Sequence, residues 1–209
     1  MHECCESKSH DIGALREHYE RVLWIVFAIN AAMFFVECGG GLLARSTALL
    51  ADSLDMFGDA TVYGVSLYAL DKSDRWQARA ALLKGLIMTG FGVVVTVEVI
   101  LKMLAGVVPA AAVMSLFGLL ALLANTGCAV LLLRFRGGEL NMRSTWLCSR
   151  NDVIANFGVL VAAAGVAATR SAWPDIFIGM LIAAVFFSSG LGVIRDSVRQ
   201  RVSRTADAA

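Results

Sequence analysis

Apolar and polar residues segregate along this chain into long blocks rather than a short alternation. Six stretches (22–43, 48–70, 81–104, 111–133, 145–168 and 175–194) each approach the roughly 20 apolar residues that carry a helix across a bilayer. Continuous runs of this kind predict helices, because a barrel would alternate lipid-facing with lumen-facing residues. The charged opening segment, "MHECCESKSHDIGALREHYER", shows no small-residue cleavage pattern, so a removable signal peptide is not expected. The predicted fold is an all-α membrane protein of six transmembrane helices. It has an N-terminal tail over 1–21, a membrane domain over 22–195 and a short tail over 196–209.

Composition and charge sharpen this picture in two ways. The chain has 209 residues, 58% hydrophobic and 17% charged, against about 25% charged in soluble domains. A net charge of +1 provides no field for a polyanion, so nucleic acid is not an expected partner. The basic residues are unevenly placed. Lys8, Arg16 and Arg21 precede the first block, and Lys72, Arg75, Arg79 and Lys84 surround the link from second to third. Arg134, Arg136 and Arg143 lie between the fourth and fifth, and Arg195, Arg199, Arg201 and Arg204 follow the sixth. The opposite links hold only Arg45, Lys102 and Arg170, so the positive-inside rule puts both termini in the cytoplasm.

Ionisable residues inside spans are costly and normally face a protein or water-filled interior, which makes each a functional candidate. The second block reads "STALLADSLDMFGDATVYGVSLYAL", with Asp52, Asp55 and Asp59 along one helical stripe. The fifth repeats the i, i+4 spacing with Cys148 and Asp152. At 1.5 Å per residue, Asp59 lies about 18 Å from the outer end of its helix and Asp152 about 12 Å from the inner end of its own. Across a core of about 30 Å these depths coincide. Three carboxylates meeting at low dielectric repel and take up protons unless a cation sits among them. Tetrahedral zinc accepts carboxylate oxygen and thiolate sulfur, and Asp55, Asp59, Cys148 and Asp152 match its four positions. Plainer readings stand beside this one. An aspartate in a span also caps a kink or pairs with a base such as Lys84 or Arg150, and a lone cysteine is often simply packed.

These segments resemble a known family. "GLLARSTALLADSLDMFGDA" resembles the second helix of the cation diffusion facilitators, and "LNMRSTWLCSRNDVIANFGVLVAA" resembles their fifth. "WPDIFIGMLIAAVFFSSG" is similar to the start of their sixth helix and "VEVILKMLAGVVP" to the end of their third, so the likeness covers about residues 20–195. The resemblance implies a multi-pass carrier of the plasma (inner) membrane that exports divalent transition metals from the cytoplasm against protons. It maps the family's four-ligand site onto Asp55, Asp59, Cys148 and Asp152. Two features depart from the family pattern. Cys148 stands where many zinc members carry histidine. The family's cytoplasmic metal-binding, dimer-forming domain is not expected in the twelve residues after Ser197, and the resemblance is therefore to a short form.

Thiolate softness ranks zinc and cadmium ahead of mercuric ion, cobalt and nickel, with iron and manganese last. A thiol that loses its proton to bound metal would also couple metal to protons. The cargo is thus zinc or cadmium at the intramembrane site, with no resident cofactor. The partners are metal ions, protons, the bilayer and a second copy of the chain. An intramembrane metalloenzyme and a passive cation pore are the alternatives. The enzyme would want an open coordination position beside an acid or base, and all three histidines lie before the first span. Secondary candidates complete the reading. Asp52 and Asn151 support the site or the pathway. Glu37 and Glu98 line an exit route, unless Glu98 pairs with Lys102 at i+4. His2, Cys4 and Cys5 on the N-terminal tail offer a weak capture site for soft metal, against the plainer reading of a solvated tail without a bound ion.

Overall fold

Among the described residues of the computed structural model, six helices follow one another. They are α1 (His2–Ala44), α2 (Thr47–Ala69), α3 (Asp74–Ala105), α4 (Ala111–Leu133), α5 (Leu140–Thr169) and α6 (Trp173–Val185). The structure describes residues 2–69, 74–134, 140–185, 187, 188 and 191, with side chains at 18–61, 63, 64, 67, 86, 87, 89–134, 146, 149–185, 187, 188 and 191. The tail 196–209 and most of the predicted sixth span beyond Val185 lie outside these residues. Three described helices, His18–Ala44, Ala111–Leu133 and Ser149–Thr169, are long and apolar enough to cross a membrane, and Trp173–Val185 is a shorter apolar helix. Helices α1, α3 and α5 begin well before the apolar blocks at 22, 81 and 145. Backbone hydrogen bonding continues a helix through polar sequence, whereas apolar length marks only the part suited to lipid.

The bundle is inverted relative to a water-soluble protein. Large apolar side chains such as Phe35, Leu43, Leu104 and Phe177 point outward, and Leu104 is 81% exposed, while Glu37 is 0% exposed. Lipid solvates such an apolar exterior, and polar groups gather where protein can satisfy them. Among the described residues, two apolar clusters lie in the interior. One gathers Ala48, Leu49, Val99, Met114, Val159, Val166 and Ile176, and the other Tyr19, Leu23, Val26, Tyr63, Cys128 and Leu132. On α1, α2, α4 and α5 the buried polar residues Glu37, Asp52, Asp59, Asn125, Asp152 and Asn156 fall in the interval between these clusters. The packing is mainly pairwise, with α1 against α2 and α4 against α5, whereas α2 and α5 touch more sparingly.

One buried junction sets where α2 begins. Arg45 turns the chain with φ 52°, and Ser46 follows as the N-cap. The Leu49 N–H donates to Ser46 Oγ at 3.1 Å, and Leu50 N–H to the Ser46 carbonyl at 3.2 Å. Asp175, in the first turn of α6, accepts the N–H groups of Thr47 (2.8 Å) and Ala48 (3.2 Å) together with the Ser46 hydroxyl. With the Ser46 N–H donating to the Gly41 carbonyl at 2.9 Å, all four free donors of the α2 N-terminus are satisfied. Lys102, in the last turn of α3, donates to Asp175 and to the Arg45 carbonyl. Its partner is therefore Asp175 and not Glu98. Gly179 allows this approach, because a Cβ there would come within 3.1 Å of the Thr47 and Ala48 backbone.

Candidate metal centre

Asp55 and Asp59 stand one turn apart on α2, and Asp152 projects from α5, whose neighbouring residues pack on α4. One carboxylate oxygen from each lies within 4.8 Å of the others. Asp59 and Asp152 are buried and Asp55 is half-buried. The i, i+4 spacing accounts for the α2 half of this arrangement, and the meeting with α5 is supplied by the fold. Carboxylate oxygens at this separation suit a divalent cation shared among them. The side chain of Cys148 lies outside the described residues, as do those of His2, Cys4 and Cys5. The α5 backbone nevertheless carries Cys148 on the same helix, four residues before Asp152.

Asp59 also has a partner at the i, i+4 spacing on α2. The Tyr63 hydroxyl, one turn further along α2 and 1% exposed, donates to Asp59 Oδ2 at 2.7 Å. Hydrogen bonds to a ligating carboxylate hold its orientation. A Tyr63→Phe variant is expected to weaken binding of a divalent cation by about tenfold while leaving the bundle folded; zinc titration of the purified chain measures this.

Above the carboxylate cluster lies a second polar layer. Asn156, four residues beyond Asp152, donates its amide to both Asp52 oxygens at 2.9 and 2.8 Å, linking α5 to α2. Asn125 of α4 donates to Asn156 Oδ1 at 3.3 Å. Glu37 of α1 faces Asp52 carboxyl to carboxyl, and neither Glu37 oxygen meets an N–H or O–H donor among the described residues. Asp52 thus contacts Asn156 and Glu37, a supporting position beside the cluster. Asn125 escaped the sequence reading because no local periodicity points to it.

The other candidates are placed as follows. Asp55 and Asn151 line a cavity of about 280 Å³ between α5 and α6, bounded otherwise by apolar residues such as Gly158, Ile178, Leu181 and Val185. Arg150 is exposed, lies over the Trp146 ring at 5.6 Å and donates to Asn151 Oδ1 at 3.4 Å, so it turns away from the carboxylates. Glu98 is half-buried on α3, and the Lys84 side chain is outside the described residues. Cys38 and Cys128 are free thiols, and Cys128 is buried near the Asn30 amide.

Residues 23–200 match the cation efflux transmembrane domain family. The chain is 24% identical over 198 residues to the metal cation efflux system protein CzcD of Cupriavidus metallidurans, covering 86% of this chain and 63% of that one. It is 25% identical over 175 residues to the cation efflux system protein CzcD of an Alcaligenes species, covering 78% of this chain and 55% of the relative. To the cadmium, cobalt and zinc/H(+)-K(+) antiporter of Bacillus subtilis it is 24% identical over 206 residues, 91% of this chain and 64% of that protein. The chain therefore spans less than two thirds of the length of each of these relatives.

Proposed function

Because this chain belongs to the cation efflux family, we propose that it carries divalent transition-metal ions, zinc or cadmium first, out of the cytoplasm in exchange for protons. The chain is an integral multi-pass membrane protein, of a family of transporters rather than enzymes. The observation that carries the proposal is the convergence of Asp55, Asp59 and Asp152 within a bundle whose outer surface is apolar. Cys148, four residues before Asp152 on α5, completes the ligand set as a soft fourth donor. In this reading all six helices span the bilayer and both termini are cytoplasmic, as the distribution of lysine and arginine requires. Residues 22–195 form the transport domain.

Carboxyl and thiol groups bind metal in their deprotonated forms, so metal and proton compete for the same atoms. Metal arriving from the cytoplasm displaces protons, and protons entering from the acidic outer side displace metal. Alternating exposure of the site to the two sides turns this competition into exchange. The cavity between α5 and α6 brings Asp55 close to the bundle surface and supports an access route beside Asn151. Relatives whose names include cadmium, cobalt and zinc exchange support the same class of cargo.

The test uses the purified chain in proteoliposomes carrying an internal pH dye. Addition of zinc or cadmium is expected to drive proton movement that an imposed pH gradient accelerates or reverses. Flux indifferent to the gradient would make the protein a passive pore. In the same vesicles, Cys148→Ser is expected to lower cadmium and zinc flux relative to manganese, because it removes the soft donor. An unchanged metal ranking would return Cys148 to packing.

A further inference from the structure

The two halves of the metal centre stand on different helix pairs. Asp55 and Asp59 belong to α2, packed on α1, while Asp152 belongs to α5, packed on α4. α2 and α5 touch sparingly overall, and the apolar cluster they share, with Ala48 and Leu49 near Val159 and Ala163, lies to one side of their carboxylates. Beside the carboxylates, the Asn156 amide crosses from α5 to both oxygens of Asp52 on α2. Asp52 lies one turn from Asp55, and Asn156 one turn from Asp152, so this bridge is a rung one turn from the cluster. Each side is backed from its own pair: Glu37 of α1 stands behind Asp52, and Asn125 of α4 behind Asn156. All four side chains are 2% exposed or less, so water does not compete for these bonds, and a buried network of this kind holds one arrangement.

We propose that the Asp52–Asn156 bridge is a positioning clamp that sets the α2–α5 spacing at the carboxylate cluster and thereby selects the size of the ion bound there. The inference rests on the metal-carrier reading above. It concerns the geometry of the site and not its existence. A short bridge holds the carboxylates at distances suited to a small tetrahedral ion such as zinc; a longer one opens the cluster towards a larger ion such as cadmium or manganese.

The full chain, purified in detergent, is titrated with zinc, cadmium and manganese. Asn156→Asp places carboxylate against carboxylate across the gap. It is expected to lower zinc affinity by about tenfold or more and to shift the cadmium-to-zinc ratio upward. The exchange variant Asp52→Asn/Asn156→Asp rebuilds the bridge with its donor on α2, and its introduced amide also faces Glu37. It is expected to restore affinity and ratio towards wild type. Should Asn156→Asp fail to fold, Asn156→Gln keeps the amide, adds one methylene and is expected to favour cadmium over zinc. Asp59→Asn is measured alongside. If Asp59→Asn leaves binding intact, the metal-carrier reading itself fails. If Asp59→Asn loses binding but the exchange variant stays as impaired as Asn156→Asp, or the metal ratios of Asn156→Gln do not move, the clamp is overturned and the bridge is ordinary packing.

Discussion

An Asp59→Ala variant is expected to bind zinc more than about 100-fold more weakly than the wild-type chain and to show no metal-driven proton flux. Loss of an outer hydrogen-bond partner alone costs about 10- to 100-fold in metal affinity, and removal of a ligand exceeds it. Asp59 is central for three reasons. Its oxygen lies within 4.8 Å of those of Asp55 and Asp152. It is buried between the two apolar clusters, as Asp152 is, and it is also held by Tyr63. It also lies on the stripe that already carries Asp55. The isosteric Asp59→Asn keeps an oxygen for Tyr63 and separates loss of charge from loss of packing; it too should fail to bind. Zinc titration with monodispersity checked by size exclusion decides the matter, and binding within a few-fold of wild type would remove Asp59 from the site.

The second large effect concerns stability at the junction where α2 begins, between α3 and α6. Asp175→Ala is expected to cost about 3–5 kcal/mol, the range for breaking one side of a buried ion pair. Its loss strands the Lys102 ammonium and leaves the Thr47 and Ala48 N–H groups of α2 without their acceptor. Lys102→Ala should cost less, because Asp175 retains the Ser46 hydroxyl and two backbone donors. Thermal unfolding in detergent should therefore rank the variants wild type, Lys102→Ala, Asp175→Ala in falling stability. Equal midpoints for wild type and Asp175→Ala would show that the junction is dispensable. Since Asp175 caps the helix that bears Asp55 and Asp59, reduced metal binding in Asp175→Ala should follow the loss of stability and not precede it.

How far these features could be read beforehand depends on their separation along the chain. The apolar blocks located the helices to within a few residues at their lipid-facing ends, because the length of an apolar run is itself the physical requirement. Their polar extensions, such as α1 back to His2 and α3 back to Asp74, carry no such requirement and were not visible. Asp55 with Asp59 could be read because helical periodicity fixes neighbours at i, i+4. By the same rule Tyr63 was within reach, but its role depends on which way the hydroxyl turns.

Lys102 shows where local rules stop. Spacing offered Glu98, four residues away, as its partner; the structure gives it Asp175, 73 positions further on. A carboxylate held between the N-termini of α2 and α6 offers a buried, fully bonded partner. The Asp52–Asn156 bridge, 104 positions apart, is of the same kind. Sequence alone therefore determined that this chain is a helical membrane protein with acidic groups on one stripe of its second helix and in its fifth, since both follow from periodicity and the cost of placing charge in lipid. Only the tertiary structure decided which of those groups meet, which residue holds each one, and how α2 is spaced from α5. Those outcomes depend on the packing of whole helices, which no local stretch of residues encodes.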